Sequence, residues 1–133
     1  MNDQAIEQEI QAKGKTAPRV TPELIEAVIA SEHYFTAADG AQGAFAKDNK
    51  DFAGIPVPDE LCLLTFCVLV LRNGFTVTGE SACASPENFD AEIGRKIARQ
   101  NAVQKIWALE GYLLKQMLHE AAIKSACEMR CEG

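Results

Sequence analysis

Arg95 and Arg99 stand four residues apart in a stretch, Asp90 to Ala126, that contains no proline and reads as one helix. At i and i+4 two guanidinium groups share a helix face and can grip one phosphate between them. They follow Ser85-Pro86-Glu87, where a serine cap and a first-turn proline mark a helix start, with Asp90 as a second cap if Pro86 to Phe89 form a separate turn. The free N–H groups at such a start favour an anion. Ser85, Arg95 and Arg99 therefore form the candidate ligand-binding set, and a nucleotide signal is the ligand it suits. The competing reading is plainer: Arg95, Lys96 and Arg99 are a solvated basic face that pairs with Glu92 or with acids elsewhere.

Other chemistries find little support. Gly79-Glu80-Ser81-Ala82-Cys83 has the first glycine and the serine of a nucleophile elbow, but a cysteine replaces the second glycine. There is no Walker loop, no G-x-G-x-x-G and no H-x-x-x-H. His33 and His119 lie far apart, and Asp90 and Glu92 are explained by the dipole of the helix they precede. Five cysteines without a secretory signal argue against a disulfide framework. Cys62 and Cys67 sit in an apolar run and act as small hydrophobes. Cys127 and Cys131 are i and i+4 and could offer two metal ligands, but two incidental thiols on a tail account for them as well. No catalytic residue, metal or cofactor is expected.

The 133 residues suit one domain of ordinary size, and 47% hydrophobic residues imply a packed core. A net charge of -6 argues against broad binding to nucleic acid or an anionic membrane. No apolar run approaches the roughly 20 residues of a membrane span. The polar start MNDQAIEQEIQAKGK carries no signal core, which makes a cytoplasmic protein the expectation.

The elements that must position these residues begin after a polar segment, residues 1–17, expected to be flexible, in which Gln4 to Ala12 could form a short solvated helix. Thr21-Pro22-Glu23-Leu24 starts a helix, and Leu24, Ile25, Val28 and Ile29 extend its apolar stripe to about Tyr34. From Thr36 to Pro58 the pattern dissolves into an irregular connector, with glycines, the cluster Lys47-Asp48-Asn49-Lys50-Asp51, and Phe45 and Phe52 as possible anchors. Thr65 to Leu71 suit a strand. Asn73-Gly74 then predicts a type I′ turn, which would set Leu71 opposite Thr76, Val70 opposite Val77 and Cys67 opposite Glu80. Phe66, Val68, Val70, Phe75 and Val77 would share one face. A two-stranded hairpin is marginal alone, so it needs the following helix and leaves a place for a third strand or a second subunit.

That helix carries two apolar stripes. Ile93 and Ile97 lie on one, while Ala102, Ile106, Leu109, Leu113 and Met117 lie on another, rotated by well over 90° at 100° per residue. It must either bend near Arg99-Gln100 or pack its first turns on the hairpin and its later turns elsewhere. Gly94 and Gly111 point to close backbone approach. Trp107, Gly111 and Leu114 are the expected interface, internal or between subunits.

The run NGFTVTGESACASPENFDAEIGRKIARQNAVQKIW, with TPELIEAVIASEHYFTA upstream, resembles a widespread family of small phage proteins catalogued from a coliphage and a Shigella phage product. The resemblance covers about Thr16 to Leu118. It implies a phage or prophage origin and the cytoplasm of an infected or lysogenic bacterium, and it brings no catalytic residues. The reading is therefore a single α+β domain, residues 18–118, with a helical extension or tail at 119–133. Its fold is an N-terminal helix, an irregular connector, an antiparallel β-hairpin and a long C-terminal helix packed on the hairpin. The expected role is that of a non-enzymatic, homo-oligomeric phage accessory protein that binds and modulates a host or phage macromolecule. A small-molecule sequestering protein and a virion or assembly component are the alternatives.

Overall fold

The computed structural model describes residues 2–15, 17–48 and 56–132, and its fold is α+β. The chain forms α1 (Asp3–Ala12), α2 (Pro22–Ala27), β1 (Ile29–Thr36), α3 (Ala37–Asp48), β2 (Leu64–Leu71), β3 (Thr76–Ala82) and α4 (Ala91–Glu132). Short 3-10 turns at Asp59–Leu63 and Pro86–Asn88 precede β2 and α4. Two compact units emerge from the contacts: residues 1–28 with 106–133, and residues 29–105. Among the described residues, no helix is long and apolar enough to cross a membrane.

In the first unit, Asn2 caps α1 by accepting from the Ala5 N–H at 2.7 Å. Thr21 caps α2 by accepting from the Leu24 N–H at 3.1 Å, with Pro22 in the first turn. Glu7 of α1 is buried and ion-paired with Arg19, whose hydrogen bond holds the Glu7 carboxyl below its ordinary pKa. The segment expected to be flexible thus holds the short helix that Gln4 to Ala12 allowed, and its Glu7 is tied to Arg19 beyond the segment. Trp107 of α4 adds a second tie, donating from Nε1 to Asp3 Oδ2 at 3.1 Å.

In the second unit the strands run antiparallel in the order β1-β2-β3. The third strand is β1, where a continuing helix was expected. Leu24, Ile25, Val28 and Ile29 fit a helical stripe, but α2 stops at Ala27. Beyond it, Tyr34, Phe35 and Thr36 are residues that favour a strand, and pairing with β2 decides between the two conformations. The connector is corrected as well. Ala37–Asp48 is helix α3, opened by a reciprocal cap: the Thr36 N–H donates to Asp39 Oδ2 at 3.0 Å, and the Asp39 N–H donates to Thr36 Oγ1 at 3.1 Å. Phe45 is 39% exposed, whereas Phe52, with residues 49–51 and 53–55, lies outside the described residues.

The hairpin forms where Asn73-Gly74 placed it, but with a different turn. The Gly74 N–H donates to Leu71 O at 2.9 Å, and the Leu71 N–H donates to Phe75 O at 2.8 Å. Within the loop only Gly74 adopts positive φ, at 88°. This is a three-residue loop with a glycine bulge, not a type I′ turn. The extra loop residue shifts the register by one, so Leu69 faces Val77, Cys67 faces Gly79 and Val70 faces Thr76. Because side chains alternate, that slip moves Val77 to the opposite face from the one expected. Val77 joins Thr65, Cys67, Leu69 and Leu71 on the buried face, while Leu64, Phe66, Val68 and Val70 are half-buried on the other.

The buried face meets α4. Asp90, not Ser85, caps this helix, accepting from the Ile93 N–H at 3.0 Å. The packed stripe is Gly94, Ala98 and Ala102 rather than Ile93 and Ile97, which are 55% and 42% exposed. Small side chains let the helix backbone settle onto the sheet. A Cβ on Gly79 would run into the Ala98 carbonyl and the Ala102 amide, and one on Gly94 would come within 3.1 Å of Thr65 Oγ1. Gly111 differs, because a Cβ there would meet nothing within 4 Å. Of the two arrangements foreseen for α4, its early turns do pack on the sheet, and Trp107 in its later turns bonds to α1.

Candidate functional site

Ser85 is not part of a helix-start anion site. It precedes the Pro86–Asn88 turn, and its hydroxyl donates to Glu87 Oε2 at 2.7 Å. The true start of α4 is occupied by its own carboxylate cap, Asp90, with Glu92 in the first turn. Negative charge already sits where the peptide dipoles would draw an anion.

The two arginines also part company. Arg99 reaches from α4 to β1 and meets Glu32 in a fork, Nε to Oε1 and Nη2 to Oε2, both at 3.1 Å. Tyr34 adds a third bond by donating its hydroxyl to Glu32 Oε1 at 2.6 Å. The Arg99 hydrogen bond, helped by Tyr34, holds the Glu32 carboxyl below its ordinary pKa. Burial, with the Glu32 carboxylate beside it, pushes the Tyr34 hydroxyl well above its own. Burial likewise raises the thiol of Cys67, which faces Tyr34 across the sheet. A protonated phenol and a neutral thiol are poor nucleophiles. This cluster ties α4 to β1 and has the character of a structural network.

Arg95 instead lines a pocket of about 110 Å³ with Tyr34, Phe35, Thr36, Asp39, Thr65 and Phe89 among its walls. Ligand pockets commonly measure about 300–1,000 Å³, so this one holds a few atoms rather than a nucleotide. Asp39 on its wall is engaged in the α3 cap. Thr65 Oγ1 is buried and lacks a hydrogen-bond partner among the described residues. The structure thus brings Arg95 to a pocket with Thr65 but does not bring Ser85 or Arg99 there. The Thr36–Asp39 cap was legible as a spacing, although the glycines that follow it obscured the helix. Among the described residues, no group of three His, Cys, Asp or Glu side chains could hold a metal ion.

The Glu32 network predicts a pH dependence. Its folded pKa lies below the 4.5 of an unperturbed glutamate, so the fork stabilises the fold above that value. The contribution fades as the pH falls through the folded value, because the folded chain must then take up a proton. Glu32→Gln should flatten the loss of stability as the pH falls below 4.5. Urea midpoints measured across that range check it, and parallel curves for both proteins would refute it.

Of the three residues expected at an interface, Trp107 bonds to α1, and Gly111 and Leu114 are half-buried on the same side of α4. Larger apolar side chains are exposed elsewhere: Leu109, Tyr112, Leu113, Met117 and Ile123 on α4, and Phe75 beside the hairpin loop. On the sheet face away from α4, Phe66 stacks against Phe35 with ring centroids 5.6 Å apart, and α3 approaches Phe35 at Gly40. The row continues along β2 to the half-buried Val68 and Val70, which lie between Ser31 and His33 on β1 and Thr76 and Thr78 on β3.

No curated protein and no solved structure matches the chain. A family model does, over residues 20–118, and this span contains the whole sheet, α3 and α4 through its first seven turns. The chain belongs to the phage protein (N4 Gp49/phage Sf6 gene 66) family.

Proposed function

We propose that this phage protein is a non-catalytic accessory factor that binds and modulates a protein of the host or of the phage. The supporting observation is the outer sheet face. There the apolar row of Val68 and Val70 is half-exposed and flanked by Ser31, His33, Thr76 and Thr78. An apolar centre inside a polar rim is how protein-binding surfaces are organised. The net charge of -6 makes a protein a better partner for it than a nucleic acid.

The test is affinity purification from infected cells with wild type, Val70→Thr and Val68→Lys/Val70→Thr. Threonine preserves β-branching and strand propensity at position 70. A co-purifying protein should weaken with the single variant and disappear with the double one, while circular dichroism shows both folded. Retention by both variants, or recovery of the protein alone from wild type, would overturn the reading.

A further inference from the structure

The second half of α4 carries a pattern that its bond to α1 does not use. Leu109, Leu113, Gln116, Glu120, Ile123 and Cys127 recur at spacings of four, three, four, three and four residues. At 100° per residue all six fall within an arc of about 80°. Each is exposed, Leu113 by 51% and Ile123 by 56%. Trp107, with its hydrogen bond to α1, lies on the opposite side of the helix by the same rotation. Four-three spacing is that of a coiled-coil seam, here with Leu109, Leu113, Ile123 and Cys127 at its apolar positions and Gln116 and Glu120 between them.

We infer that this seam binds a second copy of itself in antiparallel orientation, with the two-fold axis at Leu118. Antiparallel pairing about that axis places Leu109 of one copy opposite Cys127 of the other, and Leu113 opposite Ile123. The two polar seam residues then meet each other, Gln116 opposite Glu120. Every layer is matched in kind. On one flank Glu110 comes beside Lys124 of the other copy, twice by symmetry, and the exposed Met117 side chains meet near the axis. A parallel, in-register pair would instead stack Glu120 on Glu120 and leave Glu110 and Lys124 without these partners. Antiparallel helices also set their macrodipoles head to tail. Charge complementarity therefore selects both the occupant, a second copy, and its direction. The inference does not depend on the sheet-face reading, since it is tested on the purified protein alone.

Light scattering on the full chain should give a dimer at high micromolar concentration, and Leu113→Glu should make it a monomer with an unchanged circular dichroism spectrum. Glu110→Lys and Lys124→Glu should each weaken the dimer about tenfold, by turning two attractive pairs repulsive. The double reversal should restore wild-type affinity. With Leu109→Cys, mild oxidation should join the introduced thiol to Cys127 of the other copy, as read by peptide mass mapping. A wild-type monomer, a dimer indifferent to Leu113→Glu, charge reversals that fail to rescue each other, or a Cys127–Cys127 link would each overturn the proposal.

Discussion

Gly79→Ala should lower the stability of this protein by about 3 kcal/mol, the upper end of what overpacking costs. The added methyl would collide with the Ala98 carbonyl and the Ala102 amide, both backbone atoms of α4. A flexible side chain could rotate away from such a clash, but a helix backbone cannot. Relief requires α4 to lift from β3, which would loosen the packing of Ala98, Ala102, Val77 and Cys67 together. Asn101, whose amide donates to the Glu80 carbonyl at 2.8 Å, would be drawn away with it. The control is Gly111→Ala on the same helix, where a Cβ meets nothing. There alanine should stabilise by about 1 kcal/mol, because it replaces the most helix-averse ordinary residue. Urea unfolding followed by far-ultraviolet circular dichroism compares the two, and midpoints that move in the same direction would refute the close approach.

Leu69→Ala should cost a similar amount, about 3 kcal/mol, within the range for deleting a fully buried leucine. Leu69 sits at the centre of the middle strand, 0% exposed, between Glu32 and Val77. Its neighbour Val68 points to the opposite face and is half-buried, so Val68→Ala should cost only about 1 kcal/mol. The contrast tests the strand's orientation directly. Equal losses at the two positions would mean that α4 does not cover the Leu69 face.

These two positions also mark how far sequence reasoning reaches. The hairpin was legible because Asn73-Gly74 lies between two β-rich runs, and its location held. Its register did not, because a two-residue and a three-residue loop can both use Asn-Gly, and they differ by one residue. That single residue decides whether Val77 lies with Val68 or with Leu69. The stripe on α4 was legible only in part. Ala102 and Ile106 were expected on one face and are fully buried, and Gly94 does approach the sheet closely. Ala98 was passed over, and the first turns were assigned to Ile93 and Ile97. Apolar periodicity highlights Ile93 and Ile97, whereas Gly94 and Ala98 carry little hydrophobic signal and matter because they are small. Arg95 and Arg99 do share a helix face, yet the clamp was not found. Glu32, 67 residues away in sequence from Arg99, takes that guanidinium, and no local pattern reveals such a partner.

By itself, the sequence determined what depends on neighbours along the chain. The Thr21 cap, the α2 start, the hairpin's position, the long helix and the acidic balance are all local or summed properties. The tertiary structure decided the rest: that Ile29–Thr36 is a strand, which face of the sheet is buried, and which arginine is committed. The physical reason is that strand pairing, helix approach and ion pairing join residues distant in sequence. Their energies exceed the small propensities by which a local segment prefers one conformation over another.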